Sequence, residues 1–296
     1  MTPSYLDLFA RNIGIVTESE QEYLRNARAG LAGNGGVGGA YAITLARMGV
    51  GAFHLADFDV FEPANVNRQQ GATVETMGRP KTVVLKEMIL AINPNAKVTI
   101  FETGITAETI DAFLKGTDVV MDGLDFYALD ARRVLFSAAE RLGIHVVTSG
   151  PIGLTTTLHV FGPGSMSFEK YFDFASCESR GEELAAFAVG VTPALMQLGQ
   201  IDLSKIDFAA QRAPSFVTAI QLCAGLACTE VMRILTKRGK PFLAPRYFQF
   251  NPMKLAMRKR YLWLGNRNPF QKFKRRLVAR ELRRAAQSAG PWTPPQ

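Results

Sequence analysis

The sequence predicts an α/β protein of Rossmann-like type: a mostly parallel sheet with helices on both faces, then a loop-rich excursion and a basic C-terminal helical segment. Three observations carry this. Short apolar runs alternate with longer stretches of 3.6-residue period through the first half of the chain, the pattern of repeated βαβ units. Residues 33–38 read Gly-Asn-Gly-Gly-Val-Gly, the kind of turn that joins a strand to a helix. Asp57 and Asp122 stand where the second and fourth apolar runs end, the edge at which open α/β sheets take ligands.

In order along the chain, residues 1–31 read as a helical lead-in, polar and helix-prone over 18–26. Strands are expected at Gly30–Gly33, Ala52–Asp57, Lys97–Glu102, Asp118–Asp122 and His145–Ser149. The first has little β-branched character and rests on the glycine turn needing a strand before it. Helices are expected at Val37–Met48, Thr82–Ile92, Thr106–Leu114 and Ala128–Leu142. Leu154–Phe161 reads as a further strand. Gly162–Gln200 mixes glycine, proline, aromatics and acids without a period and reads as a long excursion over the sheet edge, a type of segment often used as a lid or substrate loop. Pro214–Leu235 returns to helical spacing, apolar at Phe216, Ile220, Cys223, Leu226 and Ala227, and Arg246–Phe250 reads as a last strand.

The chain has 296 residues, 47% hydrophobic and 20% charged, enough for a full core and against wholesale disorder. No run approaches the ~18 uncharged apolar residues of a membrane span, so no transmembrane segment is expected. The first ten residues lack the basic and apolar regions of a secretory leader, and a cytoplasmic location is the expectation. Three cysteines without a CxxC pair argue against a disulfide framework and against a tetrathiolate zinc site. The net charge of +8 is uneven. Between Lys254 and Arg284, twelve Lys or Arg face the single acid Glu281, leaving 22 cations against 25 acids elsewhere. The body is mildly acidic and the tail strongly basic. Within that tail Asn266–Arg284 reads as a helix, with Phe270, Phe273, Leu277 and Leu282 along one side. Such a segment can meet RNA, an anionic membrane surface or an acidic partner, or pack on its own protein with a solvated charged face.

The chemistry lies in what surrounds the glycines. Gly33 permits the tight turn, Gly35 and Gly36 let a phosphate approach the backbone N–H groups at the positive end of a helix, and Gly38 lets that helix pack closely on the strand. Asp57 is placed to accept ribose hydroxyls. The following loop adds Asp59, Asn65, Asn67, Arg68 and Gln69, and Gly78–Lys81 adds a second cation just inside a helix begun by Pro80. Asp125, three residues past Asp122, is a carboxylate that could share Mg²⁺ with phosphate oxygens. Each of these alone could be a surface salt bridge or a cap. Together they favour ATP with Mg²⁺ over a nicotinamide carrier, because a triphosphate must be neutralised before an anion can attack it. An NAD(P)-dependent oxidoreductase is the alternative.

These residues resemble those of the ThiF/MoeB adenylating enzymes, whose catalytic fold is shared with ubiquitin-activating enzymes. The likeness rests on the Gly33–Gly38 turn, Asp57 to Asp59, Asn65 to Gln69, Gly78 to Lys81 and Asp122 to Asp125. The lead-in adds Arg11 to Gly14, Glu20, Gln21 and Asn26 to Arg28. It covers Arg11 to Val160 and the helix Pro214–Leu235. The resemblance implies an adenylation domain over 1–253, with 162–200 as a substrate or crossover loop region, and a basic extension over 254–296. It implies ATP-dependent adenylation of a carboxylate, commonly the C-terminus of a small carrier protein or peptide, with release of pyrophosphate; one branch instead acts on a carboxylate borne by tRNA. By the same match Asp57 would hold the ribose, Asn65, Arg68, Gln69 and Lys81 the phosphates, and Asp125 the Mg²⁺. Arg11 would reach across a homodimer to the partner's ATP. A carboxylate is already ionised at neutral pH, so no general base is required, and His54, His145 and His159 fall inside strands. The chain departs from the family in lacking the CxxC pairs that hold a structural zinc in many members. Cys177 stands where some members keep a cysteine that forms a thioester or persulfide, although Glu178 beside it opposes thiolate formation. It reads otherwise as a plain loop cysteine. Cys223 and Cys228 read as core.

Overall fold

The computed structural model describes residues 3–207 and 210–288. Two short helices lead in, α1 (Tyr5–Phe9) and α2 (Glu18–Asn26), each opened by a reciprocal capping box, Ser4 with Asp7 and Thr17 with Glu20. Then β1 (Arg28–Ala32), α3 (Gly36–Arg47), β2 (Ala52–Ala56), α4 (Lys81–Ile92), β3 (Lys97–Phe101), α5 (Ile110–Leu114), β4 (Val119–Asp122), α6 (Leu129–Leu142) and β5 (His145–Thr148) alternate strand and helix. The second half brings β6 (Pro151–Ile152), β7 (Thr155–Phe161), α7 (Phe168–Phe172), α8 (Arg180–Val191), α9 (Val217–Leu235), β8 (Arg246–Asn251), β9 (Ala256–Tyr261) and α10 (Pro269–Ser288).

The strands make one sheet in the order β3-β2-β1-β4-β5-β7-β8-β9, with β6 beside β7. The first five are parallel, and β7, β8 and β9 run antiparallel. Alternation decides which side chain goes to which face. Leu31, Leu55, Val119 and Met121 join α3, α4 and α9 in one hydrophobic cluster, while Ala32, Ala56 and Val120 join α5, α6 and the aromatic group Phe168, Tyr171, Phe172 and Phe187 in the other. Helices on both faces therefore leave the carboxyl ends of the parallel strands as one accessible edge.

The structure modifies three expectations. The 162–200 excursion is not irregular throughout: it contains α7 and α8, and α8 is capped by Ser179, which accepts from the Glu182 N–H. Its buried residues are nearly consecutive, Ala185 to Phe187 and Val189 to Val191, because it lies between α10 and the core. A helix buried on several sides shows no clean period. Part of the basic tail is a strand, β9, paired with β8 from Arg246↔Tyr261 to Asn251↔Ala256. Its cations sit on the sheet's outer edge, where charge discourages unwanted strand pairing. Finally, α9 is long and apolar enough to cross a membrane by length and composition. It packs instead against α3 and β7 through Ala219, Ile220, Cys223, Ala224, Ala227 and Val231, as a core helix does.

Candidate active site

Gly33 has φ +82°, and a Cβ there would lie 2.5 Å from the Gly123 carbonyl oxygen. A Cβ on Gly38 would sit 1.8 Å from the Gly33 carbonyl oxygen. Only hydrogen fits at either position, so turn and helix close against the end of β4. Gly35 is the N-cap of α3 and Gly36 its first residue. The free N–H groups of that first turn open at the carboxyl edge.

Asp57 follows β2 and is held by backbone donors: the Asn34 N–H at 2.6 Å and the Asp59 N–H at 2.9 Å. Burial raises its pKa above the ordinary 3.8, opposed by the nearby Lys81 charge and by those two N–H groups. Lys81 opens α4, is buried, and reaches Asp59 Oδ2 at 2.8 Å. Asn65 is buried and accepts from the Glu62 N–H, which fixes the loop carrying Arg68. Arg68 donates to the Ala64 carbonyl at 2.7 Å and to Asn67 Oδ1 at 3.0 Å. Burial lowers the pKa of its guanidinium, the charge of Asp125 raises it again, and Arg212 lowers it. The charge of Asp125 thus reaches Arg68, yet neither has an ion-pair partner within 4.0 Å among the described residues.

Arg132, Thr148, Asn34 and Arg212, which also help to position the site, were not among the residues the sequence singled out. Asp122 is buried and ion-paired to the equally buried Arg132 of α6 at 3.0 Å, and it also accepts from Thr148. Arg132 donates further to the carbonyls of Leu124 at 2.5 Å and Asp125 at 2.6 Å, so it clamps the loop that presents Asp125. A carboxylate at a buried strand end needs a cation, and that need was the available signal. Asn34 is fully buried, and among the described residues neither of its amide atoms has a partner, nor does Gln69 Oε1. The chain between α8 and α9 returns over this edge, where Asn67 donates to the Ser215 carbonyl at 2.9 Å and Arg212 pairs with Glu62 at 3.2 Å.

Two expected residues stand apart. Arg11 is exposed, and its neighbour Asn12 is tied to Gln21 and to the Met48 carbonyl, the C-terminal end of α3. That places Arg11 by the end of a 12-residue helix opposite the glycine turn, a separation of ~18 Å along the axis. Cys177 lies in the turn before α8, half-buried, with Arg275 Nη2 3.1 Å from its sulfur. Burial pushes its thiol pKa up; Arg275 lowers it, while Glu183, Glu182 and Asp173 raise it. Cys223 and Cys228 are buried in α9, and burial pushes the Cys223 thiol to about 11.

Among the described residues no three His, Cys, Asp or Glu side chains converge as a metal cage. A single carboxylate such as Asp125 suits an ion that keeps its waters and takes its other ligands from phosphate, which is the habit of Mg²⁺.

The profile of the ThiF family matches residues 9–269. The chain is 39% identical over 121 residues to the tRNA threonylcarbamoyladenosine dehydratase of Bacillus subtilis (strain 168), covering 40% of this chain and 48% of that protein. It is 31% identical over 143 residues to the sulfur carrier protein ThiS adenylyltransferase of Escherichia coli (strain K12), covering 48% and 56% respectively. The chain thus spans about half the length of these curated relatives. The crystal structure of E. coli MccB with ATP superposes with a TM-score of 0.61 at 17% identity, over 82% of this chain and 65% of that one. At that identity the likeness is one of fold.

Proposed function

The chain belongs to the ThiF family, and on that premise we propose that it is an ATP-dependent adenylyltransferase that activates a carboxylate as an acyl-adenylate and releases pyrophosphate. One observation carries the reading: the Arg68 side chain lies 3.9 Å from where a Cβ on Gly36, the first residue of α3, would stand, and it feels the charge of Asp125 without an ion pair to it among the described residues. A triphosphate with its cation has the charge pattern that fills such a gap.

In this reading Asp57, fixed by two N–H groups, accepts the ribose hydroxyls. Gly35 and Gly36 bring the first turn of α3 to the phosphates, with Asn65 and Gln69 lining the loop beside them. Arg68 and Lys81 stand where charge builds as the substrate carboxylate oxygen bonds to the α-phosphorus and the bond to pyrophosphate breaks; Asp59 holds Lys81 in place. Mg²⁺ held by Asp125 would supply further neutralisation of the phosphates. Preorganised charge of this kind is the main contribution an enzyme makes to such a transfer. Arg11, remote from the site of its own chain, fits a role in the site of a second copy within a homodimer. A cytoplasmic location accompanies the reading, since ATP is the substrate.

A carrier-protein or peptide C-terminus is the substrate we favour, supported by the similarity to the ThiS adenylyltransferase. The similarity to a tRNA threonylcarbamoyladenosine dehydratase favours a tRNA-borne carboxylate as the second reading. The NAD(P)-dependent oxidoreductase alternative leaves Arg68, Lys81 and Asp125 without a ligand. The basic stretch from Lys254 belongs to the proposal as a surface for RNA or an anionic membrane. The test is ATP–pyrophosphate exchange with candidate carboxylates. Arg68→Ala and Asp125→Ala should each lower exchange by roughly 100-fold or more, as removal of one transition-state charge partner does, with unfolding temperature unchanged. Full exchange by Arg68→Ala would refute the assignment.

A further inference from the structure

Between α8 and α10 lies a groove of about 530 Å³, and its lining is strongly cationic: Lys272, Arg275, Arg276, Arg280, Arg283 and Arg284 from α10, against the single acid Glu182 of α8. Arg275 is engaged by Asp173 at 2.9 Å, Arg283 by Glu182 at 3.5 Å and Arg284 by Glu281 at 3.0 Å. Lys272, Arg276 and Arg280 have no acidic partner among the described residues. The buried side of α10 explains why these charges stay together. Gln271, Lys274, Arg275 and Val278 turn inward, Lys274 reaching the Pro193 carbonyl at 2.5 Å, so the remaining cations can only point into the groove or outward. Beside them on the outer face, at successive helical turns, Phe270, Phe273 and Leu277 are 79%, 63% and 48% exposed.

Concentrated like charge costs self-repulsion unless a counter-charge arrives. The occupant must therefore be anionic, fit a concave slot and offer flat apolar faces at close spacing to the aromatic stripe. We propose that the α8–α10 groove binds a single-stranded RNA segment, its phosphates against Arg276, Arg280 and Lys272 and its bases on Phe270 and Phe273. Arginine–phosphate pairing supplies the affinity and aromatic stacking tolerates any sequence. A bilayer could cover the three apolar side chains but could not follow the cations into a concave slot. The inference does not rest on the adenylation reading, because the groove residues are separate from those at the carboxyl edge.

Fluorescence anisotropy with a labelled 12-nucleotide RNA tests it, with phosphatidylserine vesicles and poly-glutamate as competing arms and no ATP present. Native protein should bind the RNA in a salt-dependent way. Arg276→Ala with Arg280→Ala should weaken it roughly tenfold at low salt and flatten the slope of log affinity against log salt by about 1.4, at ~0.7 for each phosphate that is no longer neutralised. Phe273→Ala should weaken binding without changing that slope. ATP-dependent thermal stabilisation, read in parallel, should be the same in all three proteins. RNA binding that is absent, or undiminished in the double variant, overturns the proposal, as does vesicle or poly-glutamate binding that displaces the RNA from native protein.

Discussion

Asp122 sits at the end of β4 with 3% of its surface exposed, and Arg132 with 4%. Two charges so placed have lost most of their hydration, and each is tolerable only because of the other. Arg132 also holds the carbonyls on either side of Asp125, so one side chain satisfies a buried acid and orients an exposed one. Removing the cation alone is expected to be severe. Arg132→Met should cost about 3–5 kcal/mol, the range for stranding one member of a buried pair, read from denaturant unfolding. Adding Asp122→Asn should recover a large part of it. A single variant within 1 kcal/mol of native in that titration would show the pair is not holding the loop. Asp57 and Lys81 stood out in the sequence because an acid just past a strand end and a lysine opening a helix are unusual there, and Arg68 because it adds a cation to the loop between them. Arg132 was not, since an arginine on a helix is ordinary until the acid beneath it is seen to be buried.

Helix α2 is tied to the end of α9 by Glu20 and Arg238, which form a two-pronged ion pair. Glu20 is drawn down to about 2, first by Arg238 and then by the Thr17 backbone N–H it caps. Its folded pKa is thus depressed below its ordinary 4.5. The stability it lends is fully present above pH 4.5 and is lost as pH falls toward about 2. Glu20→Gln should therefore flatten the acid limb of a melting-temperature profile over that window and leave the slope above it unchanged. Equal acid sensitivity in both proteins would argue that the lead-in is held by packing alone. Among the elements, the parallel strands and α3, α4, α6 and α9 were legible because each buries one face or lies wholly inside. α8 was hidden by burial on several sides, and β9 by a cationic composition that suits an edge strand and disguises it.

Arg11 offers a test of whether the protein assembles as a homodimer. Within one chain it stands by the C-terminal end of α3, while the glycine turn lies at the other end. If a second copy supplies it, two inactive proteins should repair each other. Arg11→Ala and Asp125→Ala, each inactive in exchange alone, should on mixing and re-equilibration regain about a quarter of native sites, since half the dimers are mixed and each holds one intact site. No recovery, with mixed dimers shown to form, would return Arg11 to a surface role.

Read alone, the chain already dictated a Rossmann-like sheet with a glycine turn and acids at its carboxyl edge, because a glycine-rich turn and acids at strand ends are local facts about a few consecutive residues. The three-dimensional arrangement alone decided that the charge of Asp125 reaches Arg68, that Arg132 clamps the Asp125 loop and that the tail's charge is gathered into a groove against α8. Those relations join residues far apart in sequence, and their energy depends on burial and on direction, which no local pattern of residue types records.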